Sequence, residues 1–173
     1  LQQIARWPAL KPGTLKAIGL AGQGEGVWLS DADGNPVGPG ILWSDTRSSK
    51  LMAELLRQPD LAQRLFAETG SQLQPCNTSM QLCWLQQNQP ERLHAADHLF
   101  FAKDWIRFRL TGHAAIDITD ASASVLNQAS GEISSAVMEE LGLSNIKHLF
   151  PPLVAPGEQA GTLRADIAAL CGL

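Results

Sequence analysis

Five residues, Gly22-Gln23-Gly24-Glu25-Gly26, set an amide and a carboxylate between three glycines. Glycine lets a backbone approach a ligand closely, Gln23 offers both a donor and an acceptor, and an ionised Glu25 accepts from two hydroxyls at once. The chemistry open to such a loop is the holding of hydroxyl groups. The same string also reads as a plain turn or bulge. It is not a dinucleotide fingerprint, because the Gly-x-Gly-x-x-Gly spacing is missing and no helical pattern follows at once. Nor is it a phosphate loop of the Gly-Lys-Ser/Thr kind. Cys76, Cys83 and Cys171 form neither a Cys-x-x-Cys clip nor an even-numbered disulfide framework, and His94, His98, His113 and His148 stand at no metal-ligand spacing. We expect reduced thiols and assign no metal ligand.

The elements that must position this loop begin with three short apolar runs, Ala17–Leu20, Val27–Leu29 and Ile41–Trp43. Each is bounded by Gly, Pro or Asp and reads as a buried strand. Between the last two, Asp31-Ala32-Asp33-Gly34-Asn35-Pro36 predicts a reversal. Further on the chain turns mostly helical. Ser44 or Asp45 caps a helix carrying Met52, Leu55 and Leu56 that ends near Pro59. Asp60 begins another, with Leu61, Leu65 and Phe66, which Gly70 stops. Asn77 or Thr78 starts a third, with Met80, Leu82, Trp84 and Leu85 as core contacts, closed by Pro90.

His98–Phe101 then reads as a strand, and Asp104 as the cap of a helix through Leu110 whose arginines face water or a partner domain. A short strand over 114–118, a helix or loop over 122–127, and helices over Ser135–Leu141 and Ala165–Leu170 complete the chain. Strands alternating with helices give an α/β fold. Asp45 and Arg47 read as an intramolecular pair supporting the loop, and Asp120 as a helix cap rather than a base.

With 173 residues, 45% of them hydrophobic and 17% charged, the chain can bury one core, and a single domain is expected. The net charge of −4 carries no basic run, so neither nucleic acid nor an acidic membrane is expected as a partner. No apolar stretch approaches the ~18 residues of a membrane helix, and Leu1-Gln2-Gln3-Ile4-Ala5-Arg6-Trp7 lacks a signal-peptide layout. The cytoplasm is the default location.

Three ordered blocks carry a resemblance. Gly19 through Gly26 is followed by Asp33-Gly34, Pro36, Ile41-Leu42-Trp43, Asp45 and Arg47; Pro75 through Trp84-Leu85 forms a second block; the third joins Lys103 through Gly112 to Thr119-Asp120-Ala121-Ser122-Ala123-Ser124. Together they resemble the amino-terminal domain of the FGGY carbohydrate kinases, with Cys76 and Gln81 replacing an aromatic residue and a lysine often found there. Leu141-Gly142, Phe150-Pro151-Pro152, Gly157 and Gly161 continue the pattern. The resemblance implies an actin-like ATPase (ribonuclease H-like) fold, partial, with helical insertions, residues 1–173 being part of that domain. It also implies ATP-dependent phosphorylation of a sugar hydroxyl, with ATP and Mg²⁺ bound largely by residues outside this chain. The family's Asp-x-Gly-Thr phosphate strands would lie upstream, and its base, adenosine pocket and second domain downstream. This stretch alone is therefore expected to phosphorylate nothing. A homodimer is one assembly open to such an enzyme.

No catalytic residue is assigned to the chain. The substrate-binding candidates are Gln23, Gly24, Glu25, Trp43 and Cys76. In the glycerol-kinase branch the positions matching Gly24, Glu25, Trp43 and Cys76 carry an arginine, a glutamate, a tryptophan and a tyrosine that line the substrate pocket. Loss of the guanidinium and the phenol opens volume and disfavours glycerol. Xylulose kinases usually show Gly-Gln-Met-His-Gly at the loop, and the form here looks closer to kinases of L-xylulose and of alditols such as erythritol. The substrate implied is a ketopentose such as xylulose or L-xylulose, then a four- or five-carbon alditol. A non-catalytic sugar-binding or regulatory module is the reading from another class.

Overall fold

The computed structural model describes residues 1–8, 11 and 14–173. In chain order its elements are α1 (Gln2–Ala5), β1 (Trp28–Ser30), α2 (Ser49–Leu55), α3 (Leu61–Thr69), α4 (Thr78–Asn88), α5 (Pro90–His94), β2 (His98–Phe100), α6 (Ala102–Thr111), β3 (Ile116–Asp117), α7 (Ile118–Ala121), α8 (Ser135–Glu140), a 3₁₀ helix over Ser144–Leu149, β4 (Leu153–Val154) and α9 (Ala165–Cys171). Among the described residues the strands form two pairs. β1 lies antiparallel to β2, with Trp28, Leu29 and Ser30 opposite Phe100, Leu99 and His98. β3 lies parallel to β4, with Ile116 opposite Leu153. A parallel pair requires a crossover, and here it runs through α7, α8 and the 3₁₀ helix.

Asp31 builds the expected reversal. Its Oδ1 accepts from the amides of Asp33 and Asn35 at 3.0 and 2.8 Å, and Gly34, at φ +80°, donates its N–H to the Asp31 carbonyl. Beyond the turn Val37 N–H donates to the Leu29 carbonyl, which keeps the returning chain against β1. The expected strand at Ile41–Trp43 shrinks to one bridge between Ile41 and Val27, because the chain turns at once, with Asp45 N–H donating to the Leu42 carbonyl. The strand expected at Ala17–Leu20 does not form. No backbone group of that run bonds to another described residue, and an apolar run without a ladder partner stays irregular.

Some helix starts carry a side-chain cap and others do not. Ser134 caps α8 by accepting from Val137 N–H at 3.2 Å, and α3 runs from Asp60 to Gly70, whose φ of +68° ends it. α2 starts at Ser49, later than Ser44 or Asp45, because Asp45 is engaged by Arg47 and Ser48 Oγ donates to the Pro75 carbonyl. Pro90 opens α5 as well as following α4. Asp104 does not cap α6: that helix begins at Ala102, and Asp104 is buried in its first turn against Arg107. The arginines of α6 do not all face water either. Arg107 is half-buried and also donates to the Ala115 carbonyl, whereas Arg109 is exposed as expected and joins Trp105 Nε1 in donating to the Gly34 carbonyl, each at 3.0 Å. Asp120 is likewise no cap. Asp117 caps α7 by accepting from Thr119 N–H at 2.7 Å, which places Asp120 inside the helix.

α4 is the central element. Thr78, Ser79, Met80, Gln81, Leu82, Cys83 and Leu85 are all buried, and its neighbours in the core include Leu99, Phe100 and Phe101. A helix buried nearly all round needs partners for its polar side chains: Thr78 and Gln81 find them in the loops that precede α4, and Gln86 Nε2 finds the Gly142 carbonyl beyond it. Burial pushes the Cys83 thiol up to about 12. The thiolate is the reactive form, so iodoacetamide at pH 8 should modify Cys76 and Cys171 in the folded chain but reach Cys83 only after denaturation. Peptide mass spectrometry reads the outcome. Among the described residues no helix is long and apolar enough to cross a membrane.

Candidate functional site

Glu25 stands out in its backbone before its side chain is considered. Its φ is +58°, a region that costs a non-glycine residue of the order of 1 kcal/mol and persists where surroundings over-determine it. The surroundings are the start of α4. Asn77 Nδ2 donates to Glu25 Oε1 at 2.7 Å, and Thr78 N–H donates to Oε2 at 2.6 Å. The Thr78 hydroxyl lies 2.8 Å from Oε2 and 2.9 Å from the Gly26 carbonyl, its one proton serving either. A carboxylate thus caps an eleven-residue helix from outside it, where the helix dipole favours negative charge. Burial nevertheless raises the Glu25 carboxyl above its usual value; the bonds from Thr78 and Asn77 oppose that shift, and nearby Asp120 adds to it.

Beneath the loop lies an ion pair. Lys103, on α6, bonds Asp120 Oδ2, on α7, and its Nζ is 3.6 Å from Asp117 Oδ2. All three side chains are largely buried. Two loop glycines rest on this pair. A Cβ added at Gly22 would lie 3.3 Å from Lys103 Cβ, and one added at Gly24 would lie 3.0 Å from Asp120 Oδ1. Gly26, at φ +90°, has no room for any side chain, since a Cβ there would meet the Ile41 carbonyl oxygen at 2.5 Å.

The second wall is the segment after Ile41. Gln81 Nε2, one turn into α4 from Thr78, donates to the Leu42 carbonyl at 2.9 Å. Arg47 makes a two-pronged pair with Asp45, with Nε to Oδ1 at 2.9 Å and Nη2 to Oδ2 at 2.7 Å, and its guanidinium sits 4.8 Å from the centroid of the Trp84 ring. These contacts hold the segment while leaving Trp43 55% exposed. An indole face left open beside a polar loop suits the C–H face of a polyol.

Glu25 therefore meets the α4 start at Asn77–Thr78, with half-buried Cys76 adjoining it in sequence, Gly24 faces Asp120, and Trp43 is tied to the same helix through Leu42 and Gln81. Gln23 Nε2 is buried without a hydrogen-bond partner among the described residues. The reading from sequence missed Asn77 and Thr78 as partners of Glu25, Gln81 as the anchor of Leu42, and Lys103 with Asp120 as the floor. The third block contained Lys103 and Asp120, but their meeting with the loop is a long-range contact.

Comparison with known proteins bears on the chain as a whole. The model of the FGGY family of carbohydrate kinases, N-terminal domain, matches residues 1–173. The chain is 32% identical to an erythritol kinase of Brucella abortus (strain 2308) over 98% of its own length and 32% of that protein's. It is 32% identical to a probable L-xylulose kinase of Pasteurella multocida (strain Pm70), over all of its own length and 36% of that protein's. The crystal structure of a xyloylose kinase from Brucella ovis superposes with a TM-score of 0.78 at 34% identity, covering 90% of this chain and 31% of that one. The chain spans about a third of the length of the curated relatives it matches.

Proposed function

The chain belongs to the FGGY family of carbohydrate kinases, and from that premise we propose that it supplies the substrate-orienting wall of an enzyme that transfers the terminal phosphoryl group of ATP to a sugar hydroxyl. Its mixed α/β fold is part of an actin-like ATPase domain. The substrate we favour is a ketopentose such as xylulose or L-xylulose. The observation carrying this reading is the Glu25 carboxylate, set between Gly24 and Gly26 and immobilised by the start of α4, the helix whose Gln81 also holds Leu42 beside the exposed Trp43. Phosphoryl transfer depends mainly on positioning and electrostatics, so a domain that fixes the acceptor hydroxyl contributes directly to rate. Glu25 Oε1 retains a lone pair for a hydroxyl, Gln23 Nε2 is a donor in want of an acceptor, and Trp43 packs against carbon. The small side chains at Gly24 and Cys76 suit a substrate longer than glycerol. A four-carbon alditol is the second reading, supported by the similarity to the Brucella abortus protein.

Mg²⁺ bound with ATP would neutralise the charge that develops on the phosphoryl oxygens. The carboxylates described here do not fit that task. Glu25 is taken by Asn77 and Thr78, Asp117 and Asp120 share Lys103, and no group of three or more His, Cys, Asp or Glu among the described residues stands ready for a metal. We therefore assign the nucleotide, the metal and the base to other parts of a longer protein. The test uses the complete reading frame carrying these residues, with ATP-Mg²⁺ and a panel of xylulose, L-xylulose, erythritol and glycerol. ADP release should give a kcat/KM on a ketopentose at least about tenfold above that on glycerol. Negligible turnover across the whole panel overturns the proposal, and sugar binding without turnover makes this a binding module.

A further inference from the structure

We propose that Asp120 is a specificity-determining residue, whose Oδ1 takes a hydroxyl of the bound sugar or polyol in the gap left by Gly24. The inference rests on the kinase reading above. Glycine at 24 is not a backbone requirement, since Gly24, unlike Gly26, is not among the positive-φ glycines. What limits the position is Asp120. Around a Cβ built on Gly24, Oδ1 at 3.0 Å and Cγ at 3.9 Å of that residue are the only heavy atoms of the described structure within 4 Å outside the neighbouring residues. The gap is open except for one carboxylate oxygen.

That oxygen is held and unspent. Lys103 occupies Oδ2, and Asp117, fixed through Oδ1 by Thr119 at 2.7 and 2.6 Å, has its Oδ2 3.6 Å from the same Nζ. Oδ1 receives no hydrogen bond from any described residue. Gly22 packs on Lys103 and Gly24 faces Asp120, so the loop and the pair are matched along two contacts rather than one. A ligand lying on the loop would cover Oδ1, and a covered carboxylate oxygen costs free energy unless a donor meets it. Hydroxyls are donors; an apolar or anionic ligand brings none. Glu25 and Asp120 together then offer acceptors from the loop and from beneath it. With one lone pair left on Glu25 Oε1, a substrate needs a further hydroxyl set to reach Asp120, and a four- or five-carbon chain has more hydroxyls to place there than a three-carbon triol. Asp120 thus rewards the longer chain.

The experiment compares the complete enzyme with Asp120→Ala, Asp120→Asn and Lys103→Met, reading ADP release on the best ketopentose or alditol and on glycerol, alongside thermal unfolding. Asp120→Ala should lower kcat/KM on the longer substrate by about 10- to 100-fold, the worth of a hydrogen bond to a charged group. Glycerol should change less than about threefold, so selectivity collapses, and Asp120→Asn, which keeps an acceptor, should restore most of it. Equal losses on both substrates, tracking the loss of Tm and matched by Lys103→Met, would mean that the ion pair only supports the fold. A selective wild type whose selectivity survives Asp120→Ala overturns this inference alone. A wild type inactive on every sugar overturns it together with the kinase reading.

Discussion

Replacing Arg107 by methionine should lower the unfolding free energy by about 3–5 kcal/mol, because it strands a buried charge. The Asp104 side chain is 1% exposed, with Arg107 Nη1 3.1 Å from its Oδ1 and Asp117 N–H donating to its Oδ2 at 3.1 Å. Burial already raises the Asp104 carboxyl, against the lowering by the Asp117 amide and by Arg107, and loss of the guanidinium will raise it further. A carboxyl whose folded pKa is raised contributes its stability below the unfolded value and loses it as pH rises through the folded one. The Arg107→Met defect should therefore be small near pH 4 and grow toward neutrality. Urea unfolding at several pH values measures it, with a fall in Tm of roughly 10 °C at pH 7. The double variant Asp104→Leu/Arg107→Met should recover about 2 kcal/mol of the loss, not all, since Asp117 N–H and the Ala115 carbonyl lose their partners. A cost below 1 kcal/mol for the single variant would show the pair to be screened by solvent. The pair matters to the site because it fixes the backbone of Asp117, which caps the helix carrying Asp120.

What could be read in the sequence was what is decided locally. Asp31 builds the Asp31–Pro36 reversal within its own few residues, and α3 and α4 begin after Asp60 and Asn77 as expected, although neither side chain bonds the helix it precedes. Asp45 and Arg47 pair across one intervening residue, as their spacing allows. Ala17–Leu20 shows the limit: apolar character is local, but a strand also needs a partner whose position no short window contains. Asp104 misled for the related reason that Asp is a good cap when exposed and a liability when buried, and burial is a tertiary property. The loop residues themselves were legible by type. Their partners were not, because Glu25 reaches Asn77 and Thr78 across 52 and 53 positions and Gly24 faces Asp120 across a still longer separation.

Glu25 offers the sharpest separation of structure from function. Glu25→Leu should cost about 2 kcal/mol, since it leaves the Thr78 N–H and Asn77 Nδ2 at the α4 start without acceptors, and kcat/KM of the complete enzyme should fall more than about 100-fold. Glu25→Gln is subtler, because it keeps the shape and one acceptor while removing the charge. The raised Glu25 carboxyl, caused first by burial, means that the wild type loses this residue's contribution as pH rises from the usual value of 4.5 through the higher folded one. The stability of Glu25→Gln relative to wild type should thus improve toward neutral pH, even though one of its amide hydrogens faces a donor. A residue that combines positive φ, a burial penalty and a neighbouring carboxylate is a cost to the fold, and such costs cluster at sites retained for activity. On that ground Glu25→Gln should lower kcat/KM about 10- to 100-fold with no loss of stability to account for it. If instead kcat/KM stays within about twofold while the pH dependence of stability flattens as described, Glu25 is only the cap of α4. The hydroxyl contacts would then fall to Asp120 and Gln23, with Trp43 packing against the carbon chain.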